Sequence, residues 1–243
     1  MISFTVEDWS VWSPEKGQAG PLTDSDIARA FGDRETVPPV KDIPMMVRRR
    51  LTRLGKMAMR VAHDIEGGEN ARLVFSSRYG EVASTEKLLR ELSFDEPLSP
   101  TSFSTSVHNG LAGLLTILQK NPHPHTAVAA REESFCMALI EAGALLAENP
   151  DIPVMLVHYD EPLTEFYETG RNRPVPSMAL AMMLRKPEAG EASLQLGFSA
   201  GSPDADDDPT DAAITFIDFM AGEAAGWNWR CQGRDWWCQR HVG

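Results

Sequence analysis

Several side chains have types and spacings that could do chemistry. The stretch GFSAG (197–201) sets Ser199 in a G-x-S-x-G pattern, the signature of a serine nucleophile on a strand-to-helix elbow. Acidic residues follow in SPDADDDP (202–209), and His241 stands close to the C-terminus, so serine, acid and histidine occur in an order a hydrolase can use. The elbow needs a helix directly after the serine, whereas 202–209 reads as an acidic loop; an ordinary strand end accounts for the same residues. Cys136 is a second nucleophile candidate, for acyl transfer. Its neighbours Phe135, Met137 and Ala138 make an apolar setting that raises a thiol's pKa, which favours a core cysteine. His108 pairs with it only on paper, because no third group is evident. Cys231, Cys238 and His241 offer three metal ligands without a CxxC pair or an obvious fourth. A tail that packs its tryptophans on the domain is the favoured reading, and no metal or cofactor site is expected.

Charge gives two further candidates. Glu132 opens a helix expected over 132–149, where a carboxylate gains roughly 0.3–1 kcal/mol from the helix dipole. Arg48, Arg49, Arg50, Arg53, Lys56 and Arg60 fall on one helical segment of an otherwise acidic chain. A solvated face explains them, and so does a docking surface for an acidic partner.

The elements that position these groups follow from periodicity. ISFTV (2–6), RLVFSS (72–77), TAVAA (126–130) and IPVMLVHY (152–159) read as strands, the last two buried. SMALAMML (177–184) and ASLQLGF (192–198) read as an antiparallel pair. Residues 13–44 read as a long surface excursion, and 44–65 as one helix with Pro44 near its start. In 97–120 the first half reads as a loop with two prolines and the second half as a helix. Residues 210–226 read as an amphipathic helix with Asp at its start and Gly at its end. The tail 227–243 is rich in tryptophan. Strands and helices alternate through the middle, which predicts an α/β fold: a mixed five-stranded sheet with helices on both faces and an extra C-terminal helix. The expected organisation is one domain over 1–243, with its core at about 45–200 and the helix and tail at 209–243.

The chain has 243 residues, a net charge of −12 and three cysteines. That size allows a core without staples, and the sparse, odd cysteine count argues against a disulfide framework. The acidic balance makes nucleic acid a poor partner. The start MISFTVEDWSVW lacks the basic and apolar regions of a signal peptide, and no apolar run is long enough to span a bilayer. A cytoplasmic protein is expected.

The stretch SPTSFSTSVHNGLAGLLTI resembles the loop and helix before the nucleophile in β-ketoacyl synthases of the thiolase-like fold. TAVAAREESFCMALIEA resembles their nucleophile strand, elbow and buried helix; FSSRYGEVASTEKLL and PVMLVHYDEP resemble flanking elements. The resemblance covers roughly 45–185. More narrowly, PLSPTSFSTSVHN and EESF resemble the small synthase-like subunits of aryl-polyene gene clusters, which are chain-length-factor partners of a full synthase. Two departures bear on activity. The family's cysteine position falls on Glu132. The two catalytic histidines belong to a second thiolase half, for which about 60 residues after 184 stand against roughly 150 needed.

The resemblance therefore implies a non-catalytic subunit, with no catalytic residue of its own, that pairs with a full-length β-ketoacyl-ACP synthase and shapes its acyl tunnel in polyene or fatty-acid-like biosynthesis. It implies an interface or tunnel wall made by Phe103, Val107, His108, Asn109, Gly110, Thr126, Ala127, Val128, Ala129, Glu132 and Phe135. It also gives the basic segment an acidic partner, the acyl carrier protein, met by Arg48, Arg49, Arg50 and Arg53. Glu132 is then either a capping carboxylate or a group reaching into the partner's tunnel. The alternative is a stand-alone hydrolase or acyltransferase using Ser199 or Cys136.

Overall fold

The computed structural model describes residues 1–13, 36–167, 175–202 and 205–242. Most of the excursion expected at 13–44 lies outside the described residues. Eight strands form one sheet: β1 (Ile2–Trp12), β2 (Arg72–Ser76), β3 (His125–Val128), β4 (Val154–Asp160), β5 (Met178–Arg185), β6 (Ser193–Ala200), β7 (Gly226–Cys231) and β8 (Arg234–His241). Their order across the sheet is β3-β2-β4-β5-β1-β6-β8-β7. β2 runs parallel to β3 and β4, and the other pairs are antiparallel. The α/β class and mixed sheet hold, but the sheet has eight strands instead of five.

The two strands beyond the six segments read as strands are the tryptophan-rich tail. Trp227, Trp229 and Cys231 alternate with Asn228 and Arg230 on β7, the period of a half-buried strand. Gln232 and Gly233 both take positive φ, 49° and 73°, which is how a tight two-residue hairpin turn matches the twist of its strands.

Three helical expectations change. The helix expected over 44–65 is two helices, α1 (Met45–Arg48) and α2 (Arg53–Asp64). Thr52 makes the break: its backbone is extended and its hydroxyl accepts from Gly55 N at 2.9 Å, starting a new helix. After α3 (Val82–Ser93), the expected loop in 97–120 contains α4 (Pro100–Ser106), with Pro100 in the first turn and Ser99 Oγ accepting from Ser102 N. α5 (Gly110–Gln119) follows as expected. The helix expected from 132 begins with a 3₁₀ turn at Arg131–Glu133 and becomes α6 (Ser134–Glu148). The last helix, α7 (Ala212–Ala221), is capped by the Asp211 carboxylate, which accepts from Ala213 N at 2.9 Å.

Strand alternation divides the core into two. On β4, Val154 and Leu156 face α6 and α7, while Met155, Val157 and Tyr159 face α2 and α5. On β5, Leu180 and Met182 take the first side and Ala179 and Ala181 the second. Ile214, Phe216, Ile217 and Phe219 of α7 are all buried against the first side, with Trp227, Trp229 and Trp236 beside them. Among the described residues no helix is long and apolar enough to cross a membrane.

Candidate functional site

In open sheets the carboxyl ends of parallel strands are where sites form. β2, β3 and β4 end together here, and chemistry-bearing residues collect at their ends. β2 delivers Ser76, then Ser77 and Arg78. β4 delivers His158 and Asp160. β3 leads into the elbow at 129–133, where Arg131 takes φ 56° and turns the chain sharply into α6. Ser134 fixes that turn: its hydroxyl donates to Arg131 O at 2.6 Å and accepts from Ala130 N at 2.9 Å.

The first buried group is Ser76, His158 and Asp160. Ser76 Oγ lies 3.1 Å from His158 Nδ1, and His158 Nε2 lies 3.6 Å from Asp160 Oδ2. Residue types alone suggest a hydrolytic triad, but all three are buried and the Ser76 hydroxyl donates to Ser134 O at 2.9 Å. Asp160 also accepts from Ser77 Oγ at 2.8 Å and from Arg78 N at 2.9 Å. Burial pushes the His158 imidazole down and the Asp160 carboxyl up, both toward their neutral forms. The cluster ties β2 and β4 to the start of α6, with its serine turned away from solvent.

The second group joins the elbow to the C-terminal hairpin. Glu133 is buried; it accepts from Trp236 Nε1 at 2.8 Å and pairs with Arg234. Glu132 accepts from Gln232 Nε2 in the hairpin turn at 2.7 Å. Partial burial opposes ionisation of Glu132, yet its own backbone N–H, the Arg78 charge and Gln232 together hold its carboxyl below the usual range. Arg78 itself is buried, 3.4 Å from Asp211, with Nε and Nη1 making no hydrogen bond among the described residues.

The thiol, serine and metal candidates are placed elsewhere. Cys136 sits within α6, fully buried, and burial with Glu133 and Asp211 nearby raises its pKa well above the ordinary value. Ser199 lies on β6 opposite Asp235, while His241 lies opposite Ser193, six residues along the ladder. That separates serine from histidine by about 20 Å at 3.3 Å per residue, and the next described helix begins only at Ala212. The Ser199 hydrolase reading is withdrawn. Cys231 and Cys238 are buried on adjacent strands, and among the described residues no three His, Cys, Asp or Glu side chains are grouped to hold a metal.

The residues expected at an interface divide. Phe103 on α4 is 64% exposed, and Val107 beside it is also exposed. Leu89 and Leu92 on α3, Phe94 and Leu98 after it, and Ile117 on α5 are exposed apolar side chains as well. Asn109 is exposed; His108 packs its ring on Gly80, and its carbonyl accepts from Tyr159 Oη at 3.4 Å. Thr126, Ala127 and Val128 lie on β3, which is half-buried instead of buried because it is the edge of the sheet; Ala129, just after it, is exposed.

Two of the expected interface or tunnel positions are packed within the chain. Phe135 is 1% exposed and packs edge-on against His158 and Phe216, so it is a core residue. Gly110 offers no open space: a Cβ there would lie 3.0 Å from Ser104 O and 3.2 Å from Thr105 O, so it closes the α4–α5 corner.

The basic segment is also divided. Arg53 donates to Glu161 at 3.1 Å, to Ser177 and to Thr36 O, and Arg60 pairs with Asp42 and Asp64. Arg48, Arg49 and Lys56 line a groove with Lys41. Sequence reasoning missed Arg78, Glu133, His158, Asp160 and Asp211. The pair His158/Asp160, two apart on one face of a strand, and the adjacent pair Glu132/Glu133 at a helix start were the available signal.

The strand order and the elbow between β3 and α6 define a thiolase-like α/β domain. Residues 9–239 match the family described as β-ketoacyl synthase, N-terminal domain, and the chain belongs to that family. No curated protein sequence matches it. Its fold is similar to that of a chain from a ketosynthase in complex with its chain length factor from Xenorhabdus doucetiae, with a TM-score of 0.76 at 22% identity over 99% of this chain and 100% of that one. It is also similar to the ishigamide ketosynthase/chain length factor, with a TM-score of 0.59 at 17% identity over 84% of this chain and 69% of that one. A β-ketoacyl synthase from Burkholderia phymatum gives a TM-score of 0.57 at 13% identity over 91% and 70%.

Proposed function

We propose that this chain is a non-catalytic, chain-length-factor-like subunit that pairs with a full β-ketoacyl-ACP synthase and shapes the acyl tunnel of that partner in polyketide or fatty-acid-type biosynthesis. The observation that carries the reading is the open edge of β3. Leu73 N bonds Pro124 O and Ser77 N bonds Val128 O, so alternate residues 124, 126 and 128 face β2. The backbone N–H and C=O groups of His125, Ala127 and Ala129 then point to the open side. An unpaired strand edge is a liability unless a partner covers it, and exposed apolar side chains such as Phe103 add to that liability. The partner's corresponding strand adds antiparallel to β3, centred near Ala127, with Phe103 and Val107 buried alongside.

The elbow supports the same division of labour. By the family resemblance Glu132 stands in place of the thiolate a condensing enzyme needs, and a carboxylate is a poor acyl-transfer nucleophile. The synthase supplies the chemistry. This chain supplies surface, and Ala127 and Ala129 form part of the tunnel floor. Acyl carrier protein docks by charge on Arg48, Arg49 and Arg50; Arg53 is committed within the fold. Co-expression with the cognate synthase should give a one-to-one complex in size-exclusion chromatography. A monodisperse monomer that ignores the synthase would sink the reading.

A further inference from the structure

One face of the β6-β8-β7 sheet carries a surface that the tunnel reading does not use. Leu194, Leu196, Trp236, Cys238, Trp227 and Trp229 point toward α7. The alternate residues therefore share the opposite face: Gln195, Gly197 and Ser199 on β6, Asp235, Trp237 and Gln239 on β8, Asn228 and Arg230 on β7. The register sets Gly197, Trp237 and Asn228 in one row across the three strands. Trp237 leans over Gly197 so closely that a Cβ there would overlap the indole, lying 2.8 Å from Cε2. Glycine thus lets the ring lie flat on the sheet. A groove of about 670 Å³ covers this face; Ser199, Asn228, Arg230, Asp235, Trp237 and Gln239 line it, with Asp208 and the buried Trp229 and Trp236 at its border. That volume suits a small ligand.

We propose that this groove binds a neutral saccharide, with one pyranose ring stacked on Trp237 and its hydroxyls bonded by Asn228, Gln239 and Ser199. The chemistry of the rim selects this class. A π face is electronegative and takes the electropositive C–H face of a sugar ring. Asn and Gln each offer donors and an acceptor, as sugar hydroxyls do. Asn228, Gln239 and Ser199 are exposed, and their side chains make no hydrogen bond among the described residues. Among the described residues the rim carries no free cation for a phosphate: Arg230 is paired with Asp235 at 2.5 Å, and Asp208 adds negative charge to the groove. An acyl chain or an apolar protein surface would want more than one exposed aromatic, and of the three tryptophans that line the groove Trp229 and Trp236 are buried, leaving Trp237.

The test is calorimetry and saturation-transfer NMR on the full chain with cellohexaose, maltohexaose and chitohexaose. At least one should bind, with saturation reaching its ring C–H protons. Trp237→Ala should weaken that binding by about tenfold or more, and Asn228→Ala or Gln239→Ala by several-fold. Trp237→Phe, which keeps a ring over Gly197, should retain part of the affinity and serves if the alanine variant does not fold. The proposal is overturned if none of the three sugars binds, or if binding survives Trp237→Ala unchanged. It is equally overturned if sugars fail to bind and Trp237→Ala abolishes the synthase complex, which would make this face part of the protein interface.

Discussion

The indole Nε1 of Trp236 donates to the Glu133 carboxylate at 2.8 Å, joining residues 103 positions apart. Arg234 pairs with the other carboxylate oxygen of the same side chain. The hairpin therefore holds the elbow at the place where α6 begins, and the tail is part of the site's scaffold. Replacing Glu133 by Ala leaves the buried Trp236 N–H without an acceptor. We expect a loss on the order of 1–3 kcal/mol in urea denaturation. Arg234, which is partly exposed, can turn to water and limits the cost. Trp236→Phe should lose a comparable amount. An unchanged denaturation midpoint in both variants would show that the hairpin does not support the elbow.

Glu81 gives a pH dependence. Its carboxylate accepts from Thr52 Oγ1 at 2.8 Å and from Ser84 Oγ at 3.2 Å, linking the starts of α2 and α3. Burial, opposed by the Thr52 bond and reinforced by the Glu161 charge, pushes its pKa from 4.5 to about 7. A carboxyl raised in the folded state contributes its stability below the unfolded pKa and loses it as pH rises through the folded one. Stability should thus fall between pH 4.5 and about 7, by on the order of 3 kcal/mol from this group. Glu81→Gln should flatten the slope when unfolding is followed across that range. A variant with the wild-type slope would assign the dependence to other groups.

Cys136 should be inert. The folded chain should resist thiol reagents at this position, because burial both raises its pKa and blocks access. Cys136→Ser places a hydroxyl in an apolar site and should cost about 1–3 kcal/mol, while condensation by the synthase complex continues. Loss of turnover beyond about tenfold with the fold intact would return a chemical role to this residue.

Gly110→Ala tests packing. The added Cβ would meet the Ser104 and Thr105 carbonyls, which are backbone and cannot step aside cheaply. Overpacking of this kind costs roughly 1–3 kcal/mol, so the thermal midpoint should drop. No drop would mean that the α4–α5 corner relaxes freely.

Periodicity made most of the sheet and the covering helices legible, because buried strands and amphipathic helices advertise their faces. It did not reveal the tail hairpin, whose turn is Gln-Gly and whose inward residues are tryptophan and cysteine where Val or Ile would be usual. Nor did it reveal the Thr52 break, because apolar spacing continues through it and only the hydroxyl's bond to Gly55 N restarts the helix. The inward packing of Phe135 and Gly110 is illegible for a related reason. A residue beside a functional turn reads the same in sequence whether it faces outward or into the core, and the facing is decided by partners far along the chain, Phe216 for one. The polar cluster of Ser76, His158 and Asp160 escaped because it joins two strands separated by about eighty residues.

The open edge of β3 makes the sharpest distinction between folding and pairing. Ala127 N–H is not used by β2, since the ladder to β2 runs through residues 124, 126 and 128. Proline at 127 removes a donor only on the open side, where edge strands tolerate it. Ala127→Pro should therefore leave the isolated chain folded, with a midpoint within about 1 kcal/mol of wild type, while blocking antiparallel addition of the synthase strand. Phe103→Asp should act on the same interface by placing a charge where an apolar side chain is to be buried, and should weaken the complex by about a hundredfold. Thr126→Pro is the control: its N–H faces β2, so it should disturb the fold itself. Binding is read by calorimetry against the cognate synthase and folding by circular dichroism. If Ala127→Pro and Phe103→Asp both fold and both bind the synthase as tightly as wild type, the partner does not meet this edge, and the tunnel floor assigned to Ala127 and Ala129 falls with it.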